Sequence, residues 1–81
     1  MKLFLISQNE NTAYETYDSA VVVAPDEETA RNMDPSDGTV ITKWDRMWKW
    51  AKSASSVKVE YLGEAADELE QGVVCASYNA G

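Results

Sequence analysis

Four successive apolar residues, Leu3 to Ile6, sit between Lys2 and Ser7. That run predicts a strand over 2–7 with both faces buried, hence a central one. Gln8 to Asp18 is polar and carries no two-residue hairpin signal, so it reads as a longer loop or an irregular hairpin. Residues 19–24, Ser-Ala-Val-Val-Val-Ala, predict a second buried strand rich in β-branched side chains. Pro25-Asp26-Glu27-Glu28 opens a short helix: proline suits the first turn, and the carboxylates meet the positive end of the helix dipole. The helix presents Ala30 and Met33 to the core and stops before Asp34-Pro35, after which Ser36-Asp37-Gly38 turns the chain.

The second half repeats this alternation. Residues 39–43 predict a short strand around Val40 and Ile41. Residues 44–52 are expected to wind as a helix with Trp44, Met47, Trp48 and Ala51 on one face. Val57, Val59 and Tyr61 alternate with polar residues, as in a half-exposed strand over 57–62 that Gly63 ends. Glu64 to Glu70 suggest a second acidic helix packed by Ala65, Ala66 and Leu69, and residues 73–78 a final strand before the tail. The expected class is α+β: one mixed sheet of about five strands with two to three short helices on it. Residues 1–81 make a single compact domain.

Composition narrows the function. The chain has no histidine and one cysteine, which removes the commonest general base, the commonest zinc ligand and any intrachain disulfide. Cys75 lies inside an apolar strand pattern and is expected in the core. No glycine-rich phosphate loop or nucleophile elbow occurs. Asp34-Pro35-Ser36-Asp37-Gly38 lacks the ligand spacing of a calcium loop. These absences argue against an enzyme and against a cofactor or metal. The apolar run 3–6 is too short for a signal-peptide core or a membrane span, so the expected location is the cytoplasm.

Charge adds a map. The net charge is −7, which disfavours direct attraction to nucleic acid or anionic membrane. Residues 10–37 hold eight acids and only Arg31, and residues 60–70 hold five acids and no base. Between them, residues 38–58 hold Lys43, Arg46, Lys49, Lys52 and Lys58 against Asp45 alone, together with all three tryptophans. On a helical wheel Trp44 and Trp48 face the core, whereas Trp50 falls among Lys43, Arg46 and Lys49. Trp50 is therefore either core bulk or an exposed anchor with Arg46 and Lys49. Tyr14 and Tyr17, in the polar loop, form a second candidate contact surface or fold back over the sheet.

The start Met-Lys-Leu-Phe-Leu-Ile-Ser-Gln, the stretches beginning at Tyr14, Glu27 and Ser56, and the end from Gly72 onward resemble a family of small uncharacterised bacteriophage and prophage proteins. The likeness spans nearly the whole chain, and residues 39–54 fit it least well. That family has no established activity, so it assigns no functional residue. It does imply a setting in which compact acidic proteins bind and disable host complexes such as restriction or CRISPR systems, in the host cytoplasm. The expectation is a non-enzymatic inhibitor or modulator that occludes a host protein, with Glu64, Asp67 and Glu68 on the acidic surface. The alternative is a structural or accessory phage component acting as a homodimer or higher homo-oligomer, through an exposed edge such as 57–62.

Overall fold

The computed structural model describes residues 1–79; the tail residues 80 and 81 lie outside the described residues. Four strands form one sheet in the order β3-β1-β2-β4, with β1 Lys2–Ser7, β2 Thr16–Ala24, β3 Lys58–Glu64 and β4 Gly72–Asn79. Every neighbouring pair is antiparallel, so the sheet is not mixed and has four strands, not five. The broad α+β class holds.

β1 and β2 are the two central strands, paired from Lys2↔Ala24 to Ser7↔Ser19. Phe4, Ile6, Ala20, Val22 and Ala24 point to one face and are all buried in the main core cluster. Of the alternate residues that point the other way, Leu3, Leu5 and Val21 are only partly covered, and Val23 is buried. Burial on both sides is thus unequal, although both strands read as apolar throughout.

The eight residues between β1 and β2 owe their order to one side chain. Gln8 is 7% exposed and uses its whole amide: Oε1 accepts from the Glu10 and Asn11 N–H groups, and Nε2 donates to the Asn11 and Tyr17 carbonyls. A buried amide with all these bonds made holds the loop without a tight turn. β2 consequently starts at Thr16, three residues earlier than expected, where Tyr17 and Thr16 find partners in Tyr78 and Asn79.

Helix α1, Glu27–Arg31, has Asp26 as its N-cap, the carboxylate accepting from the Thr29 N–H at 2.8 Å. Pro25 therefore lies outside the helix and ends β2, while Asp26 satisfies an otherwise orphaned donor. Ala30 and Met33 are buried, as expected.

Two neighbouring elements differ from expectation. Residues 39–43 make no strand, only a single bridge from Met33 to Val40. Residues 44–52 make one 3-10 turn, Trp44–Arg46, and then run on irregularly. A nine-residue helix is marginal on its own. The observed path instead buries Trp50 and Ala51 completely in the core on the α1 side of the sheet. A tryptophan ring buries about 150–250 Å², at about 25 cal/mol per Å². That burial outweighs the few tenths of a kcal/mol per residue that helix propensity offers.

Residues 65–71 are not a helix either; one Leu69 N–H to Ala66 carbonyl bond marks a turn. Here the cause is distance. β3 and β4 are opposite edges, so the connection crosses three strand spacings, about 14 Å. Seven helical residues would rise only about 10 Å. β3 also continues through Gly63 to Glu64, because the register slips at Leu3/Phe4 and Gly63 takes a φ of 146° at that bulge.

Candidate functional site

The topology answers a question that sequence spacing leaves open: where the two acidic stretches stand relative to each other. Lys2 pairs with Ala24 on one side and with Glu64 on the other, so the end of β2 and the end of β3 flank the start of β1. Asp26, Glu27 and Glu28 follow directly from that end of β2. Asp67, Glu68 and Glu70 lie on the connection that leaves Glu64 and returns at Gly72, which pairs with Val23. The Ala65 N–H donates to the Met1 carbonyl at 3.0 Å, tying the connection to this end. Asp37 joins them, since Gly38 packs so closely on Gly72 that a Cβ there would stand 3.2 Å from the Gly72 Cα. One end of the sheet thus gathers acids from three parts of the chain. Lys2 stands among them, whereas Arg31, paired with Glu27 at 3.0 Å, reaches away to the Val57 carbonyl beside the Lys58 start of β3.

Glu64, Asp67 and Glu68 are all exposed. Glu64 accepts the Tyr61 hydroxyl at 2.7 Å, and this bond pushes the Tyr61 phenol above its ordinary value. Hydrogen bonds from Thr29 hold the Asp26 carboxyl below the usual range. The Thr39 N–H and hydroxyl do the same for Asp37. These three ionisations are consequences of local bonds at turns and caps; none is a sign of a poised catalytic group.

The basic segment occupies the opposite end. The Tyr17 N–H donates to the Lys49 carbonyl at 2.7 Å, and Asn11 Nδ2 donates to the Trp48 and Trp50 carbonyls at 2.7 and 3.1 Å. The Lys52 N–H donates to Glu10 Oε1 at 2.6 Å. Loop 8–15 and residues 48–52 are therefore clasped together beyond the Ser7 end of β1. The molecule is electrostatically lopsided along the strands.

The predicted aromatic anchor is displaced by two residues. Trp50 is 0% exposed, and its indole N–H has no hydrogen-bond partner among the described residues. Trp48, expected in the core, is 60% exposed instead. Without a helix over 44–52, the wheel that set their faces does not apply. Trp44 and Met47 remain half-buried against the core. Lys49 Nζ stands 4.8 Å from the Trp48 ring and 6.0 Å from the Tyr78 ring. Arg46, Lys49, Met47 and Trp48 line, with Asp34 and Ser36, a shallow hollow of about 150 Å³. The structure thus brings Arg46 and Lys49 together with Trp48, and leaves Trp50 out. Tyr14 is 73% exposed, whereas Tyr17 packs on the core with its ring 4.8 Å from that of Tyr78.

Cys75 is exposed on β4, not in the core. Its strand is an edge, and among the described residues no element covers its outer flank, so an apolar pattern there does not imply burial. No group of three or more potential metal ligands comes together among the described residues, and no described helix is long and apolar enough to cross a membrane. Comparison with family models, curated proteins and solved structures finds no match to this chain.

Proposed function

We propose that this chain is a non-catalytic binding protein whose acidic end docks on a basic surface of a host protein complex, in the manner of a phage-encoded inhibitor. The observation that carries the reading is the convergence of Asp26–Glu28 with Glu64, Asp67, Glu68 and Glu70 at one end of the sheet, although about 40 residues separate them in sequence. Converging like charges raise local potential and steer a basic partner. They also repel one another, so their gathering works against stability and calls for a use elsewhere. A complex that holds DNA or RNA in a basic channel offers the complementary surface.

The test is a tagged pull-down from bacterial lysate, with and without nuclease, using the native chain and a Glu64→Lys/Asp67→Lys/Glu68→Lys variant. The expected result is one nuclease-resistant protein partner that the variant fails to retain. Equal recovery by both proteins would remove the acidic surface from the account. A second reading, a structural or accessory role through self-association, is favoured by a different observation, the uncovered edge of β4.

A further inference from the structure

The two edges of the sheet are chemically unlike. β3 carries Lys58, Glu60 and Glu64, and charges on an edge oppose pairing with another strand. β4, Gly-Val-Val-Cys-Ala-Ser-Tyr-Asn, has no charged residue and no proline over eight positions. Val74 through Asn79 are all exposed, Val74 at 53%. Among the described residues, the only backbone bond of β4 beyond its pairing with β2 is the Glu15 N–H to the Asn79 carbonyl. A strand of this length and without charge presents a row of unpaired backbone groups along its outer side.

We infer that β4 pairs antiparallel with β4 of a second copy about a two-fold axis, joining two four-stranded sheets into one. The inference rests on the self-association reading and names its surface. Two charge arguments select a second copy as the occupant. A chain of net charge −7 can approach itself only where its own charge is absent or complementary, and β4 is the uncharged strand. Antiparallel pairing also sets the Gly72 end of each strand against the Tyr78 end of the other. Asp37 flanks the Gly72 end through Gly38, and Lys49 lies over Tyr78 at the other end. The two-fold therefore places Asp37 of each copy toward Lys49 of the other, twice over. Glu15, bonded to Asn79, is an acid at the Lys49 end, so the attraction is partial and salt-sensitive. The same operation makes the contact isologous and closes it at two copies, since the charged β3 edges remain outermost. Eight-residue strands are short for the roughly 1,200–2,000 Å² of a stable interface, which sets the expected affinity at micromolar or weaker.

Sedimentation equilibrium from micromolar to millimolar concentration tests this. The expected mass rises from 9.0 kDa to twice that value, with dissociation shifted to higher concentration by added salt. Val74→Lys and Ala76→Lys, each at an exposed edge position, should abolish the dimer while thermal melts stay unchanged. Leu62→Lys, at the corresponding bulge of β3, should leave it intact. Should either β4 variant fail to fold, amide exchange of the native chain replaces it, with protection of residues 74–78 expected to grow with concentration. A single-chain mass throughout would overturn both the inference and the self-association reading. A dimer that survives both β4 variants, or that Leu62→Lys dissociates, would overturn the β4 assignment alone. Assemblies larger than two copies would overturn the closed two-fold.

Discussion

The two ends of the sheet are built on opposite terms. Beyond Ser7, Gln8 orders loop 8–15 internally, while Glu10, Asn11 and Tyr17 bind it and the start of β2 to residues 48–52 with bonds that cross about 30–40 positions of sequence, and Trp50 closes the core beneath them. At the Lys2 end, the connection 65–71 is held by one bond to Met1 and one internal turn, and its acids point to solvent. Cohesion is concentrated where the net charge is mixed, and charge is concentrated where cohesion is slight. On the proposed reading, stability and recognition belong to different ends, so each should be alterable without the other.

The largest effect that would break this contrast is at the cohesive end. Trp50→Ala removes a fully buried ring and should cost about 3–5 kcal/mol, out of the roughly 4–12 kcal/mol expected for a chain of this length. Urea titration should show a protein barely folded at room temperature. Trp50→Phe should cost much less, because it also removes an indole N–H that finds no partner among the described residues, itself a penalty of about 1–3 kcal/mol. If the two variants were equally damaged, the unpartnered donor would have no energetic weight.

Gln8→Ala comes next. It strips four bonds from a buried site, and a loss of about 2–3 kcal/mol is expected. Hydrogen exchange should rise across 8–17 and 48–52 together while the β1–β3 pairing stays protected. Exchange confined to the loop would show that the clasp to residues 48–52 is not cooperative.

At the acidic end the triple reversal at Glu64, Asp67 and Glu68 should leave the melting temperature unchanged or raise it slightly, since it relieves repulsion among neighbouring carboxylates. A marked loss of stability would mean that these side chains have a structural role and that the two ends are not separable.

The smallest effect is on acid stability. Asp26 and Asp37 have folded pKa values below their unfolded ones. Their contribution is complete above the unfolded value of about 3.9. It is lost as pH falls through the lowered folded values, because the unfolded chain then binds more protons. Asp26→Asn/Asp37→Asn keeps an acceptor at each position and should flatten that part of the stability profile below about pH 4. Melts superimposable on the native chain in this window would assign the acid transition to other carboxylates.

The contrast also separates what could be read from the chain and what could not. The central strands, the presence of a short helix after Pro25 and the placement of Ala30 and Met33 were legible, because β-branched runs and a proline stop act over a few residues; the cap at Asp26, with Pro25 outside the helix, was not read. The candidate site was legible only in its ingredients. Glu64, Asp67 and Glu68 lie on the acidic end, and Arg46 and Lys49 lie on one hollow, as their clustering suggested. Trp48, Tyr78 and Val74 were missed as exposed residues, although the absence of any charge after Glu70 was a signal for an unguarded edge.

Composition and short-range pattern by themselves determined the broad class: an acidic α+β chain with two apolar strands and a short helix after the second. The tertiary structure alone decided which tryptophan is buried, that 65–71 is a crossing and not a helix, that Cys75 is exposed, and that distant acids meet at one end. The physical reason is common to all four. Backbone preference is set by neighbours in sequence and amounts to tenths of a kcal/mol per residue. Burial and charge proximity depend on which segments lie alongside, and the larger free energies of covering a tryptophan or spanning a sheet override local preference.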